Sequence, residues 1–197
     1  MSIATDVEAP SRAKRLKAAS TAAHERVDGG VMHAAPFASP ENYARFLRFQ
    51  YHLHRRVETL YADAGLQELL PDLSERSRFA ALEQDFADLG LTPPDAAAGP
   101  SLELAEALGW LYVVEGSNMG AAILAKEAAK IGFTAEHGAR HLAGHPEGRA
   151  LHWRHFTAAL NEVELTPEEE TRIEAAATAA FDHVDLLVGR ELAAEHA

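Results

Sequence analysis

A histidine and an aspartate stand four residues apart in the segment LKAASTAAHERVD, whose composition favours helix. His24 and Asp28 would lie one turn apart on the same helix face. A neutral imidazole is a good metal ligand, and a carboxylate that accepts its other ring N–H holds such a ligand in orientation. The pair therefore suits a metal-binding histidine, and an exposed helix pair is the alternative.

Two glycines interrupt a second helical segment, residues 104–131. Gly116 and Gly120 each cost a helix about 1 kcal/mol relative to alanine. They lie about 40° apart around the axis and about 6 Å apart along it, so one patch of the helix lacks side chains. Either a flat or bulky ligand or another helix can approach such a patch closely. The spacing alone leaves both interpretations open.

Other histidines do not form a recognisable metal motif. His52 and His54 are two residues apart, so on a helix they point to different faces. A later group fits neither a zinc motif nor the paired Glu-x-x-His of di-iron bundles, and we interpret it as a solvated, lightly basic surface. This group comprises His137, His141, His145, His152 and His155.

The composition excludes several classes of protein. The chain has 197 residues, 47% hydrophobic content and a formal net charge of −12, which disfavours nonspecific nucleic-acid binding. It contains no cysteine, which rules out disulfides, thiolate nucleophiles and cysteine-bound iron–sulfur clusters. Neither a signal peptide nor a membrane span is evident. We therefore expect a cytoplasmic protein with no membrane and no nucleic-acid partner.

Helical periodicity and capping signals predict an all-α fold without strands. We expect residues 1–10 to be disordered and residues 11–197 to form a single helical domain. Four predicted helices begin near Ser11, at Ser39–Pro40, at Ser101 and at Thr166–Pro167. A further helix is predicted from Pro71 to near Gly90, and another through residues 149–163.

In this order and at this separation, LKAASTAAHERVD and LGWLYVVEGSNMGAAILAKEA resemble the haem oxygenase family, particularly its compact bacterial members. The similarity extends through APFASPENYARFLRFQY, LLPDLSERSRFAAL, GARHLAGHPEGRALHWRHF and LTPEEETRIEAAATAAFDHV, so it covers nearly the whole chain. It implies a single-domain, multi-helix bundle that holds haem between the first helix and a glycine-bent central helix.

The resemblance also implies roles for particular residues. His24 matches the proximal iron ligand and Asp28 its acidic neighbour, while Gly116 and Gly120 match the glycines of the distal helix. Lys17 falls where a basic residue meets a haem propionate. The predicted site comprises catalytic Gly116, Ser117 and Gly120, cofactor-binding Lys17, His24, Asp28, Tyr112, Asn118 and Lys126, and His24 as the metal ligand.

One departure concerns proton supply. Ser117 stands where mammalian members of the family carry an aspartate, and several bacterial members also lack that acid. The resemblance then leaves proton delivery to waters, Ser117, Asn118 and backbone groups. The central helix offers no acid/base histidine of the peroxidase type.

The implied activity is the oxidative cleavage of haem to biliverdin, with release of carbon monoxide and ferrous iron. Haem is then both substrate and cofactor, and the reaction uses O2 and an external electron donor such as a reductase or ferredoxin. Two alternatives remain at this point. One is a haem carrier or sensor that does not degrade its ligand, and the other is a cofactor-free helical interaction protein in which the glycines only pack helices.

Overall fold

Helices make up the regular structure of the computed structural model, which describes residues 9–193. The predicted all-α class is confirmed, and no described helix is long and apolar enough to cross a membrane. The expectation of a disordered N-terminus falls mostly on residues 1–8, which lie outside the described range. The helices are α1 (Arg12–His33), α2 (Pro40–Tyr61), α3 (Ala64–Leu69), α4 (Leu73–Arg76), α5 (Phe79–Asp88), α6 (Leu104–Lys130), α7 (Arg149–Glu162) and α8 (Pro167–Leu187), with a 3-10 turn at Arg140–Leu142 and a π-helical turn at Val188–Leu192.

Capping residues fix the two helices whose starts the sequence marks most clearly. The Ser39 hydroxyl accepts the Asn42 N–H at 3.2 Å, and Pro40 opens α2. At α8, Thr166 and Glu169 form a capping box in which each side chain accepts the other's backbone N–H. Both helices therefore begin at the predicted residues.

The single helix predicted from Pro71 to Gly90 is wrong. Asp72 adopts a left-handed conformation with φ of 63°, α4 ends at Arg76, and Ser77 is extended with ψ of 135°. The Ser77 hydroxyl donates to Glu58 at 2.7 Å and accepts the Phe79 N–H at 3.2 Å. A new helix, α5, begins at Phe79. This side-chain bonding competes with the helix and divides the segment into α4 and α5.

The first helix is held at its start and buried along one face. Arg12 is buried, and its guanidinium donates to the Val163 carbonyl and the Glu170 carboxylate, each at 2.7 Å. These bonds fasten α1 to the turn between α7 and α8. The buried face of α1 carries Leu16, Ser20, Ala23, Val27 and Val31.

Helix α8 is the common support of α1 and α6. Both pack extensively on it, and α6 approaches it most closely at Gly109. A Cβ at Gly109 would stand 2.6 Å from the Ile173 carbonyl oxygen, so only glycine fits there. Helices α1 and α6 meet where the Tyr112 hydroxyl lies 3.4 Å from the Ala13 carbonyl, and their other contacts are few.

Candidate haem site

Beside its buried face, α1 carries an exposed stripe that includes Lys17, His24 and Asp28. The His24 side chain is 58% exposed, and its Nδ1 lies 3.3 Å from Asp28 Oδ2. Its ring meets the ring of Phe181 on α8 edge-on, with centroids 5.8 Å apart. Among the described residues no other side chain pairs with this imidazole, so Nε2 is free to bind a metal.

A single free imidazole suits haem better than it suits a bare metal ion. Within residues 9–193, no three histidine, aspartate or glutamate side chains come together as a metal-binding group. Iron in haem already has four porphyrin nitrogens, so the protein needs to supply only one axial ligand. His24, with Asp28 beside Nδ1, fits that requirement.

The exposed turn of α6 combines bare backbone with apolar side chains. No atom lies within 4 Å of the position that a Cβ at Gly120 would occupy. Met119 and Ile123 on either side are 40% and 62% exposed, which is unusual for such large apolar residues. This surface can accept a flat apolar ligand.

Gly116, one turn earlier, has a different environment. A Cβ there would lie 3.5 Å from the indole of Trp153 on α7, an ordinary van der Waals contact. The Trp153 ring also packs against Tyr112, with centroids 5.5 Å apart. Burial raises the pKa of the Tyr112 hydroxyl, and the side chain is only 8% exposed. The structure therefore places Tyr112 and Gly116 against α7 and places Gly120 in the open.

Ser117 makes a polar contact within α6, and Asn118 makes one with α7. The Ser117 hydroxyl donates to the Val114 carbonyl of its own helix at 2.7 Å. The Asn118 backbone carbonyl accepts a hydrogen bond from Arg149 at 2.9 Å. Sequence reasoning missed Trp153 and Arg149, although the two residues stand one helical turn apart and so share a face of α7.

A buried ion pair anchors α6 immediately before the glycines. Glu115 is 2% exposed and accepts hydrogen bonds from the Tyr61 hydroxyl at 2.8 Å and from Arg76 at 3.0 Å. Burial raises the pKa of the Glu115 carboxyl, and the Arg76 cation opposes that rise. Arg76 also contacts Asp72 at 2.6 Å. The inner side of α6 is thus tied to α2 and α4.

The interpretation of the late histidines as a solvated surface is wrong for His141. This residue is 3% exposed, and its Nδ1 lies 2.7 Å from the fully buried Asp85. Burial lowers the pKa of His141, although Asp85 raises it. His54 is also buried, and desolvation lowers its pKa to about 3. Local spacing carries no signal for the contact between Asp85 and His141, because the two residues are 56 positions apart.

The two lysines of the predicted site are exposed, Lys17 on α1 and Lys126 on α6. A separate groove of about 500 Å³ lies between the end of α2, α3 and the start of α6, and residues such as Leu60, Leu66 and Leu102 line it. None of the predicted site residues lines that groove. The candidate site is therefore the exposed surface of α1 and α6 beside α8.

Comparison with known proteins identifies the family of this chain. The family model described as heme oxygenase matches residues 11–188. Heme oxygenase PigA of Pseudomonas aeruginosa is 41% identical over 185 residues, which cover 92% of this chain and 93% of that protein. A crystal structure of the NO- and CO-bound heme oxygenase of Neisseria meningitidis is 44% identical, covers 96% of both chains and superposes with a TM-score of 0.89. The chain therefore belongs to the heme oxygenase family.

Proposed function

We propose that this chain is an enzyme that cleaves haem oxidatively to biliverdin, carbon monoxide and ferrous iron, using O2 and electrons from an external donor. The observation that carries the proposal is the presence of two unusual surfaces on helices that both pack on α8. One is the stripe of α1 with the free imidazole of His24, and the other is the turn of α6 with the open backbone of Gly120.

His24 would bind the haem iron through Nε2, and the Asp28 carboxylate would accept a hydrogen bond from Nδ1–H and so select the tautomer. The exposed ammonium groups of Lys17 and Lys126 can pair with the propionates of the substrate. The bound haem supplies the iron at which oxygen is activated and also the carbon that is oxidised. The protein has to hold this substrate in one orientation and control protons around it.

The α6 turn is suited to limited proton supply. No titratable side chain occurs between Gly116 and Ala125, so the helix presents no strong acid or base to the oxygen-binding side. The Ser117 hydroxyl and the Asn118 side-chain amide are the polar groups in this segment that can hold water. Protons then arrive through water, and we assign Ser117 a part in holding that water. Gly116 and Gly120 would place no side chain between the helix backbone and a bound haem.

Two further parts of the proposal concern the cellular setting. We propose that reduced electron carriers reach the exposed edge of the site, where Lys17 and Lys126 offer positive charge on a chain of net charge −12. A partner with an acidic docking surface fits this edge. We also propose a cytoplasmic setting, because a chain without cysteine needs no oxidising compartment and the reaction consumes reducing equivalents.

An optical titration of the purified protein with hemin tests the function, followed by addition of a competent reductase and catalase in air. We expect a Soret band that saturates at one equivalent and then decays into the broad absorption of a bilin. A Soret band that persists under these conditions would instead identify a haem carrier. If no Soret band forms, the glycines only pack helices and the protein is a cofactor-free interaction protein.

The variant His24→Ala tests the ligand. We expect its ferric spectrum to lose the signature of an imidazole-ligated haem and its turnover to fall below detection. The matched control is His33→Ala, which removes another exposed histidine of the same helix and should behave as the wild type. Unchanged ligation in His24→Ala would refute the assignment.

A further inference from the structure

Arg149, the first residue of α7, bonds to two backbone carbonyls from different parts of the chain. Its Nη1 donates to the Asn118 carbonyl of α6 at 2.9 Å, and its Nη2 donates to the Leu142 carbonyl in the 3-10 turn. The guanidinium also packs against Gly144, where a Cβ would lie 3.6 Å from Nε. Within the described range, Arg149 forms no ion pair with a carboxylate. The positive charge of Arg149 therefore lies against backbone carbonyl oxygens rather than against a carboxylate.

Hydrogen bonds that do not involve Arg149 hold the segment that contains Leu142. The fully buried Asp85 accepts the backbone N–H groups of Arg140 at 2.7 Å and His141 at 3.0 Å, together with the His141 side chain. Asp88 holds the same segment through the Gly138 N–H and the Arg140 side chain, at 2.9 and 2.8 Å. Because α5 already secures residues 138–142, Arg149 is not needed to order them.

The Asn118 end lies between Gly116 and Gly120. Few side chains of this turn of α6 pack on the core, because the two glycines carry none and Ser117 and Met119 are exposed. Immediately before it, Glu115 is fixed by Arg76 and Tyr61. A lateral bond to a helix carbonyl is also a recognised cause of helix curvature.

We propose that Arg149 is a positioning residue that sets the place of the Gly116–Gly120 turn above the substrate. The bridge runs from α5 through residues 140–142 to Arg149 and then to the Asn118 carbonyl. It holds the bare turn from the α7 side, while the Glu115 ion pair holds it from the core. This role rests on the proposed function, since the turn matters for catalysis only if haem lies beneath it.

A planar guanidinium is required for this bridge, because its N–H groups diverge and reach two carbonyls at once. A lysine keeps the charge but presents it as a point on a flexible chain. We therefore compare Arg149→Gln and Arg149→Lys with the control Arg48→Gln, which replaces an exposed arginine on α2. Arg149→Ala with added methylguanidinium, well below denaturing concentrations, serves as a chemical rescue.

Hydrogen exchange of the ligand-free proteins is the first measurement. In Arg149→Gln and Arg149→Lys we expect the amides of residues 116–122 to exchange about tenfold faster, because a charge-assisted bond is lost from an unsupported turn. The control should exchange as the wild type does. Faster exchange confined to residues 133–148, with residues 116–122 unchanged or slower, would show that Arg149 only orders the loop and would overturn the proposal.

Single-turnover kinetics with hemin provide the second measurement. We expect the dissociation constant for hemin to change less than about twofold, because His24 is untouched, and bilin formation to slow roughly tenfold, because the turn is misplaced. Methylguanidinium should restore part of the rate in Arg149→Ala. Equal rates in the variants and the control would contradict the role, whereas absence of bilin from the wild type would refute the proposed function and leave the exchange result intact.

Discussion

The two halves of α6 use the same residue type for opposite purposes. The first half, as far as Glu115, is almost entirely buried, and Gly109 lets the helix backbone approach α8 to a distance at which no Cβ fits. The second half has only Ala121 and Ala128 buried, and Gly120 faces empty space. One glycine serves helix packing and the other leaves room for a ligand.

This difference bears on the two interpretations that the sequence left open for the glycine pair. Small residues four apart fit helix packing as well as ligand binding. The structure gives the packing role chiefly to Gly109, outside the pair, and shows Gly116 in ordinary contact with Trp153. Of the three glycines of α6, only Gly120 has no atom within 4 Å of the position that a Cβ would occupy. The comparison predicts that changes in the buried half will mainly affect stability and that changes in the open half will mainly affect substrate handling.

The largest expected effect comes from the buried anchor of α6. Replacing Glu115 by alanine leaves Arg76 with reduced compensation in the interior, and we expect the free energy of unfolding to fall by about 3–5 kcal/mol. Denaturant unfolding measures the change. The control Glu127→Ala, which removes a more exposed partner of Lys130, should have little effect. Equal losses in the two variants would remove the distinction between buried and open halves.

A methyl group at Gly109 should be the next most damaging change. The new Cβ would stand 2.6 Å from the Ile173 oxygen and 2.8 Å from the Ala176 Cβ, so α6 would have to move away from α8. We expect Gly109→Ala to lower the free energy of unfolding by about 3 kcal/mol, at the upper end for overpacking. Thermal and denaturant unfolding both report this loss. A neutral result would mean that the interface between α6 and α8 is looser than the structure shows.

The buried His54 on α2 should also make the free energy of unfolding depend on pH. His54 stays neutral in the folded state down to about pH 3, whereas in the unfolded chain it takes up a proton near 6.5. Between these values the unfolded state binds more protons, so stability is lost as pH falls, by up to about 1.4 kcal/mol per pH unit. His54→Phe should flatten this slope, and exposed His155→Phe should leave it unchanged. Denaturant unfolding at several pH values distinguishes the two.

The smallest change in stability should accompany the clearest change in function. Gly120→Ala meets nothing within 4 Å, so we expect it to raise the free energy of unfolding of the ligand-free protein by about 1 kcal/mol. In the proposed complex the same methyl group would point at the substrate, so hemin affinity or turnover should fall. A variant that gained stability and kept full turnover would show that haem does not lie against Gly120.

Local signals made much of the fold predictable. The Ser39 cap with Pro40 and the capping box at Thr166 depend on residues within one turn, and both are confirmed. The break between α4 and α5 was not predictable, because it depends on the Ser77 side chain reaching Glu58, 19 residues away. Helix propensity alone favoured a continuous helix there.

The candidate site was predictable where its residues share one helix. His24 with Asp28 and the glycines of α6 stand at helical spacing, so the chain itself aligns them. Contacts between distant segments leave no such spacing in the sequence. Three of them join residues from separate elements of the chain: Arg149 with Asn118, Trp153 with Gly116, and Asp85 with His141. The roles that the resemblance assigns to His24, Asp28 and the glycines, and to Lys17, Tyr112, Ser117, Asn118 and Lys126, stay predictions.

A crystal structure of the hemin complex tests the central claim most directly. We predict that His24 Nε2 binds the iron, that the macrocycle lies against the open backbone at Gly120, and that the contacts of Gly109 and Glu115 are unchanged. Iron bound by another histidine, such as His33, or a macrocycle in the groove beside Leu60 and Leu66, would contradict the assignment of the two halves of α6.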